Sequence, residues 1–300
     1  MIQLDEVVKK DQPILPLKEW THAKKEHELA MNRILQPYLK KRSEHKKDPV
    51  LDFLFEYYNF RPAQLSRWSP GVGVKLEITG DEPLPEISEL AVNDQVAYLD
   101  KMNFPRKRLR SIHWMLDLMQ KTAESKPFFG CFGMHEWAMV YRADEIRHDQ
   151  IPLRLSDDAI AEFVESRPLL CTHFDAFRFF TEKARPMNKH QLERESLKDL
   201  EQQGCIHTNM DLYKWAFKMY PWISSETIRD AFSLAIFART IDMKASPYDL
   251  EEYGLSPIKI ETEEGRKEYL VQQKEIVKRA APVRENLIAE YERVLRFVGE

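Results

Sequence analysis

The spacing of hydrophobic and polar positions is typical of helices along most of the chain. Apolar residues recur every three or four positions, with Lys, Glu and Arg between them. Capping residues mark several starts, at Asp48-Pro49, at Ser156 before two aspartates, and at Ser224 or Ser225. These signals predict helices over 18–43, 50–58, 134–148, 209–220 and 224–243, and a further helix that begins at 156. Two more helices are predicted within 86–123, divided near Phe104-Pro105, and a last one over 263–298 with an interruption near Pro282.

Only short stretches of the chain read as strands, at 73–79, 151–155 and 169–175. Nine glycines in 300 residues leave few positions for tight turns. The predicted fold class is therefore mainly α with a few short β strands (α+β). No linker or internal repeat divides the chain, which predicts a single compact helical domain over 1–300. Its predicted parts are a charged N-terminal helix (1–48), a core with the candidate site (49–264) and a C-terminal helix (265–300).

Composition narrows the class of protein. A hydrophobic fraction of 43% with 31% charged residues is typical of a globular chain. Lys and Arg number 45 against 49 Asp and Glu, a net charge of −4, which argues against a protein that coats nucleic acid. A local basic groove stays open, and RKRLR at 106–110 is either such a groove or a solvated helix face.

Targeting signals and cysteine usage predict a cytoplasmic protein. The three cysteines form no CxxC pair, which fits a reducing compartment. The N-terminus has no apolar signal region, and no apolar run reaches the ~18 residues of a membrane span. We therefore expect no membrane partner, and the sequence leaves the oligomeric state undetermined.

Residues with catalytic side chains concentrate in the middle of the chain. Five segments combine a His or a carboxylate with aromatic residues and a cation: 113–114, 135–142, 172–180, 207–216 and 245–250. Burying a charge costs on the order of several kcal/mol unless it is paired, so such mixtures tend to mark sites. The alternative is that these residues cap helices or pair within a helical core. We predict that one cavity is shared by His135, Glu136, His173, Asp175, Asn209 and Asp211, with Trp137 and Trp215 nearby.

Several common signatures are absent from the sequence. It contains no GxxxxGK[ST], no GxGxxG after a strand, no GxSxG, no HExxH and no helix-hairpin-helix of the LPGIG type. We therefore predict no cofactor and, in the first interpretation, no metal. Two ExxH pairs, Glu19–His22 and Glu145–His148, leave a di-iron interpretation open. A mononuclear metal site formed by His135, His173 and His207 is a second alternative.

Several long strings of the chain resemble a known bacterial family. They are DFLFEYYNFRPAQLSRWSPG, CFGMHEWAMVYR, PLRL, THFDAFRFF, HTNMDLYKWA and ASPYDL, and they run from roughly Pro49 to Glu264. The sequence is similar in these strings to a family of about this length commonly labelled 3-methyladenine DNA glycosylase. The resemblance implies a hydrolase of DNA base excision repair that cleaves N-glycosidic bonds of alkylated purines. It carries over no catalytic residue, so roles are assigned from side-chain chemistry.

The chemistry of base release predicts the types of residue that are needed. An alkylated purine already carries positive charge, so a carboxylate that stabilises the oxocarbenium-like sugar matters more than an acid. Aromatic faces stack the base, and cations hold phosphates. The predicted catalytic residues are Asp175 and Asp211, with His135 and Glu136. The predicted substrate-binding residues are Trp137, Tyr141, Tyr213 and Trp215 for stacking, Arg142, Arg178 and Lys214 for phosphate, and His173, His207 and Asn209.

The expected partner is DNA or a modified nucleoside. The same residues serve a nucleoside or nucleotide N-glycosidase, which the near-neutral charge favours. Two further alternatives are a metal-dependent enzyme of the non-haem iron type and a non-catalytic ligand-binding protein.

Overall fold

The computed structural model describes residues 12–80, 82–93, 95–144 and 151–300. Helices dominate this part of the chain, which confirms the mainly helical class with a few short strands. No helix within these ranges is long and apolar enough to cross a membrane. The helices are α1 (Leu17–Ser43), α2 (Leu51–Glu56), α3 (Pro62–Leu65), α4 (Leu109–Glu124), α5 (Met134–Ala138), α6 (Asp157–Glu165), α7 (Phe174–Phe177), α8 (Leu197–Leu200), α9 (Ile206–Lys218), α10 (Ser225–Ala245) and α11 (Glu263–Val298).

A small sheet packs beside the N-terminal helix. Its strands are β1 (Ile14–Leu15), β2 (Lys75–Glu77), β3 (Leu90–Asn93) and β4 (Val96–Leu99), in the order β1-β2-β4-β3. β1 is parallel to β2, and the other pairs are antiparallel. Trp20 of α1 and Trp68 pack with buried side chains of the sheet in a cluster of their own. The strand predicted within 73–79 is confirmed.

The strands predicted at 151–155 and 169–175 are wrong. Each segment makes only one isolated bridge, at Leu153 and at Leu169. Cys171–His173 are buried without a break, so side chains of other segments enclose this stretch on both sides. A strand of this sheet type would alternate between a buried and an exposed face.

The first of the two helices predicted within 86–123 is also wrong. Residues 90–93 and 96–99 form the antiparallel pair β3 and β4, and α-helix begins only at Leu109. Val92 and Tyr98 belong to residue types that favour strands, and they pair across the two strands with Ala97 and Ala91 respectively. These cross-strand contacts stabilise the strand pair over a helix in this segment.

Two other predicted helices have different extents. α5 ends at Ala138 and the chain then turns, with Arg142 at a positive φ of 44°, whereas residues 145–148 of the predicted helix lie outside the described residues. α11 continues through Pro282 without the predicted interruption. Proline removes one helical hydrogen bond, but Ala280 and Leu287 on either side are fully buried, and this packing holds the helix together.

The long C-terminal helices form the centre of the fold. α10 packs against α9 and α11, and α11 also packs against α4 and α9. Two large hydrophobic clusters surround them, one containing Tyr213 and Leu287, the other containing Trp137 and Ala238. α9 and α10 contribute to both clusters, so the polar side chains between these apolar positions lie where the clusters meet.

Candidate functional site

One face of α9 carries a row of polar side chains at helical spacing. His207, Asp211 and Lys214 follow each other at intervals of four and three residues, which places them on one side of the helix. Gly204 precedes the helix, and a Cβ there would lie 2.3 Å from the carbonyl oxygen of Phe128. Only glycine permits this approach of the two backbones, which sets where α9 begins.

Asp211, Lys214 and Asp175 form a carboxylate–ammonium–carboxylate cluster. The Lys214 ammonium donates to Oδ2 of Asp211 at 3.0 Å and to Oδ2 of Asp175 at 3.3 Å. Asp211 also accepts a hydrogen bond of 2.8 Å from the Tyr58 hydroxyl, and Arg178 lies 3.3 Å from Oδ1 of Asp175. Two carboxylates from distant segments are therefore held together by one cation.

The two carboxylates of this cluster differ in their access to solvent. The Asp211 side chain is 7% exposed and the Asp175 side chain 25%. Burial raises the pKa of Asp175, but Lys214, His173 and Arg178 outweigh it and hold the pKa below the usual aspartate range. Burial alone lowers the pKa of Lys214, whereas the two carboxylates raise it above its usual range. Asp175 is thus an accessible carboxylate, and the cluster keeps it ionised.

A cleft of about 1000 Å³, the main cleft, opens on this cluster. Trp114, Trp215 and Phe174 line it together with charged residues. Cations outnumber carboxylates six to four along its walls, although the whole chain is net negative. The cations are Arg108, Arg178, Arg194, Lys214, Lys218 and Arg284, and the carboxylates are Asp175, Glu195, Glu201 and Asp211.

The two tryptophans of the main cleft are in contact with each other and with lysines. Their ring centroids lie 6.2 Å apart with the planes near perpendicular. The ammonium groups of Lys214 and Lys218 lie 4.4 Å and 5.1 Å from the Trp215 ring centre, and that of Lys198 lies 5.5 Å from Trp114. The main cleft therefore presents aromatic surface beside positive charge.

A basic cavity of about 570 Å³ adjoins the main cleft and shares Ser111 and Trp114 with it. Its other lining residues are Lys107, Arg110, His113 and Lys198. The cluster RKRLR at 106–110 is divided between the two spaces, because Arg108 lines the main cleft. Arg106 instead contacts the C-terminal end of the chain at Val298 and Glu300. Positive charge thus continues from the main cleft past Trp114.

A third space of about 220 Å³, the side cavity, lies on the other side of Asp175. Its lining is mixed. The ionisable residues are Lys47, Asp52, Glu56, Glu136, Asp175, His207 and Arg239, and the others are mainly aromatic or aliphatic. Asp175 is the residue that the side cavity shares with the main cleft.

A chain of buried ionisable groups runs behind the side cavity. Arg239 bonds Glu136 at 2.6 Å and Oδ2 of Asp242 at 2.5 Å. Oδ1 of Asp242 lies 2.8 Å from Nε2 of His135, whose Nδ1 lies 3.4 Å from Sγ of Cys131. Burial lowers the pKa of His135, but Asp242 and Cys131 raise it well above its usual range.

Three buried histidines lie ring against ring next to this chain. The His207 ring is 4.5 Å from that of His135, edge to face, and is stacked 5.3 Å from that of His173. Burial and the charge of His135 lower the pKa of His207 well below its usual range. Nδ1 of His173 lies 2.6 Å from Glu201, although the two groups are not aligned for a hydrogen bond.

Two groups of side chains in the described residues have metal-ligand geometry. They are His135 with His207 and Asp242, and His173 with Asp175 and Asp211; within each group the ligand atoms lie within 4.8 Å of one another. The histidine trio considered as a metal site is therefore divided between two groups, each completed by aspartate. Neither includes the ExxH pair Glu19–His22, and Glu145–His148 lies outside the described residues.

The remaining predicted residues are distributed between the site, the core and the surface. Asp175, Arg178, Asp211, Lys214 and Trp215 line the main cleft, while Glu136 and His207 line the side cavity. His135 and His173 are buried behind these spaces and line neither.

Five predicted stacking or binding residues have structural roles instead. Trp137 is fully buried, and its indole nitrogen donates to the carbonyl of Ala245. Tyr213 is fully buried in the first hydrophobic cluster. Asn209 is bonded to backbone carbonyls and to Arg284. Tyr141 and Arg142 both bond Glu165 away from the main cleft.

Some residues of the site were not found from the sequence. Arg239 and Asp242 stand three residues apart in the mostly apolar stretch AFSLAIFARTIDMKA, and opposite charges at this spacing on such a helix are a signal of a buried pair. Tyr58, Glu201 and Arg284 join the site only through contacts distant in sequence, and no local pattern marks them.

No family model, curated protein or solved structure matches the chain.

Proposed function

We propose that the protein hydrolyses the N-glycosidic bond of an alkylated purine in a nucleic acid strand, with Asp175 as the catalytic carboxylate. The observation that carries the proposal is the position of Asp175. It is an accessible carboxylate, paired with Lys214 and Arg178, at the wall of a cleft with two tryptophans and an excess of cations. The resemblance to the family labelled 3-methyladenine DNA glycosylase suggests the reaction class.

The reaction requires an anion more than an acid. When the bond from C1′ to the base nitrogen breaks, its electron pair neutralises the positively charged purine, which leaves without protonation. The sugar becomes positive, and a carboxylate close to C1′ stabilises it. Water then adds to C1′ and gives up a proton, which Asp175 accepts or passes to solvent. An aspartate with a lowered pKa suits the stabilising role.

Asp211 supports this chemistry as a positioning residue. Its side chain is 7% exposed, and Tyr58 and Lys214 both bond it. It therefore holds the Lys214 ammonium against Asp175. We expect Asp211→Asn to act through the position and charge of Lys214, with a smaller effect on the rate than Asp175→Asn.

The distribution of cations favours a strand of nucleic acid over a free nucleoside. A nucleoside needs no phosphate contacts, whereas the exposed Arg178, Arg194 and Lys218 surround the main cleft. Lys107 and Arg110 in the basic cavity continue the positive charge beyond one nucleotide. Trp114 and Trp215 offer aromatic surface for bases, whose stacking contributes about 1–3 kcal/mol each.

The test is base release by the wild-type protein, at enzyme in excess, from methylated single-stranded and duplex DNA and from free methylated nucleosides. The proposal expects release from DNA that weakens steeply as salt rises, because phosphate contacts release counterions. The double variant Lys107→Gln/Arg110→Gln should reduce the salt dependence on DNA, whereas the exposed Lys267→Gln on α11 should not.

Two outcomes of this test contradict the proposal. Release from free nucleosides alone, independent of salt, selects the small-molecule N-glycosidase. No release from any of these substrates refutes the glycosidase reaction.

A further inference from the structure

His207 is a buried imidazole without a hydrogen bond in the described part of the chain. It is 6% exposed, and its ring packs against the rings of His135 and His173. Its nitrogens are not among the fully enclosed polar atoms that lack a hydrogen bond in the described residues. His207 lines the side cavity, so its ring is within reach of a ligand that enters there.

We infer that His135, His207 and Asp242 bind one divalent first-row transition-metal ion beside the side cavity. Two imidazoles and a carboxylate are a donor set that such ions take in proteins, with coordination positions left for water or substrate. The three ligand atoms come from α5, α9 and α10 and already lie within 4.8 Å of one another. Ligands at about 2.1 Å from one ion stand roughly 3.0–3.4 Å apart, so only small side-chain movements are needed.

The groups around these three residues resemble the outer shell of a metal site. Metal-bound histidines usually engage their second nitrogen, and metal-bound carboxylates their second oxygen, with neighbouring groups. Nδ1 of His135 contacts Sγ of Cys131, and Oδ2 of Asp242 accepts from Arg239, which Glu136 holds in turn. His135 Nε2 and Asp242 Oδ1 are 2.8 Å apart, slightly less than the roughly 3.0–3.4 Å between adjacent ligands of one ion.

The other group with ligand geometry is less suited to a metal ion. In the set of His173, Asp175 and Asp211, the Lys214 ammonium already bonds both carboxylates. A metal ion there would have to displace this buried cation. The cation that contacts the first set, Arg239, bonds the outer oxygen of Asp242, and the inner oxygen is hydrogen-bonded to Nε2 of His135. A metal ion there would replace this hydrogen bond and release its proton to solvent.

The test measures metal binding by the full chain without any nucleic acid. Metal-stripped protein is titrated with Zn²⁺ by calorimetry and with Co²⁺ by visible absorption, which reports nitrogen and oxygen ligation. We expect one equivalent to bind wild type, and His207→Gln to weaken binding at least about tenfold, the least that loss of even outer-shell support costs. Asp242→Asn should weaken metal binding in the same way. This substitution leaves Glu136 as the one charged partner of buried Arg239 among the described residues, which can prevent folding. If Asp242→Asn does not fold, the result for His207→Gln alone tests the inference.

The same substitution at two other buried histidines gives matched controls. His27→Gln lies on α1, where its ring bonds the carbonyl of Leu65, and it should bind metal as wild type does. His173→Gln should also retain binding, because His173 belongs to the other set. The inference is overturned if wild type binds neither ion, or if His207→Gln binds as wild type does. It is equally overturned if His173→Gln alone abolishes binding.

Failure of this inference is separable from failure of the glycosidase proposal. Asp175→Asn should bind metal normally, since Asp175 is outside the proposed ligand set, whatever its effect on base release. A protein that releases base but binds no ion refutes only the metal site. One that binds an ion but releases no base refutes only the glycosidase.

Discussion

Lys214→Met should destabilise the protein through the loss of the cation that Asp211 and Asp175 share. Without the ammonium, the Tyr58 hydroxyl is the one donor to Asp211 that is left among the described residues, and the Asp211 charge stays buried close to that of Asp175. Lys218→Met is the matched control, since Lys218 lies one turn further along α9 over the same Trp215 ring but is exposed.

The expected cost follows from the exposure of the partners. Removing one member of a fully buried ion pair costs about 3–5 kcal/mol. Here Lys214 is 17% and Asp175 25% exposed, so water compensates part of the loss. We therefore expect a decrease of about 2–3 kcal/mol in the free energy of unfolding, roughly a 30- to 150-fold change in the folding equilibrium. Lys218→Met should change it by less than about 0.5 kcal/mol.

A double-mutant cycle monitored by urea unfolding and circular dichroism tests the cause. In Lys214→Met/Asp211→Asn the buried charge is gone as well, and the amide oxygen of Asn still accepts from Tyr58. The double variant should therefore lose about 1–2 kcal/mol less than the sum of the single variants. Two results would refute the role of Lys214 as the shared cation: strictly additive losses of stability in the double variant, or a Lys214→Met protein as stable as Lys218→Met.

Three further predictions concern pH, stacking and backbone approach. In the proposed role Asp175 acts as the anion, and its pKa lies below the ordinary 3.8. Base release should therefore persist as pH falls and decline only below about pH 4, and a decline near pH 6 in the pH–rate profile would contradict this. Trp215→Ala should slow single-turnover base release at subsaturating DNA about 5- to 150-fold, which is the equivalent of about 1–3 kcal/mol of lost stacking. The stability in urea should change little, and a wild-type rate of release would exclude Trp215 as a base contact. Gly204→Ala should destabilise the fold by at least about 1 kcal/mol, because the alanine Cβ would lie 2.3 Å from the carbonyl oxygen of Phe128. Unchanged stability in urea would mean that the backbones at 128 and 204 can move apart at no cost.

The elements that local signals define were predictable from the sequence. α6 and α10 begin where Ser156 and Ser224 accept backbone hydrogen bonds as caps, and α1 follows the predicted range closely. The β3–β4 pair was missed because its stabilisation comes from cross-strand contacts.

The candidate site was predictable only as far as local sequence pairs a carboxylate with histidine and aromatic residues. Asp175 and Asp211 were recognised in this way, and both line the main cleft. The sequence predicted that the Lys214 ammonium binds phosphate. In the structure this ammonium is shared between two carboxylates, one of them 39 residues away in the sequence. Trp137 was indistinguishable from a stacking residue, because a core tryptophan and a site tryptophan differ in surroundings that local sequence does not encode.

The proposed role of Asp175 is to stabilise the transition state of base release. Its most direct test compares single-turnover base release from methylated DNA by wild type, Asp175→Asn and Asp230→Asn. Asp230 is an aspartate on α10 with a 51% exposed side chain, outside the site. We predict that Asp175→Asn is slower by about 10²–10³, the usual cost of removing an electrostatic stabiliser, with an unchanged circular dichroism spectrum, while Asp230→Asn matches wild type. Release by Asp175→Asn at the wild-type rate would contradict the account.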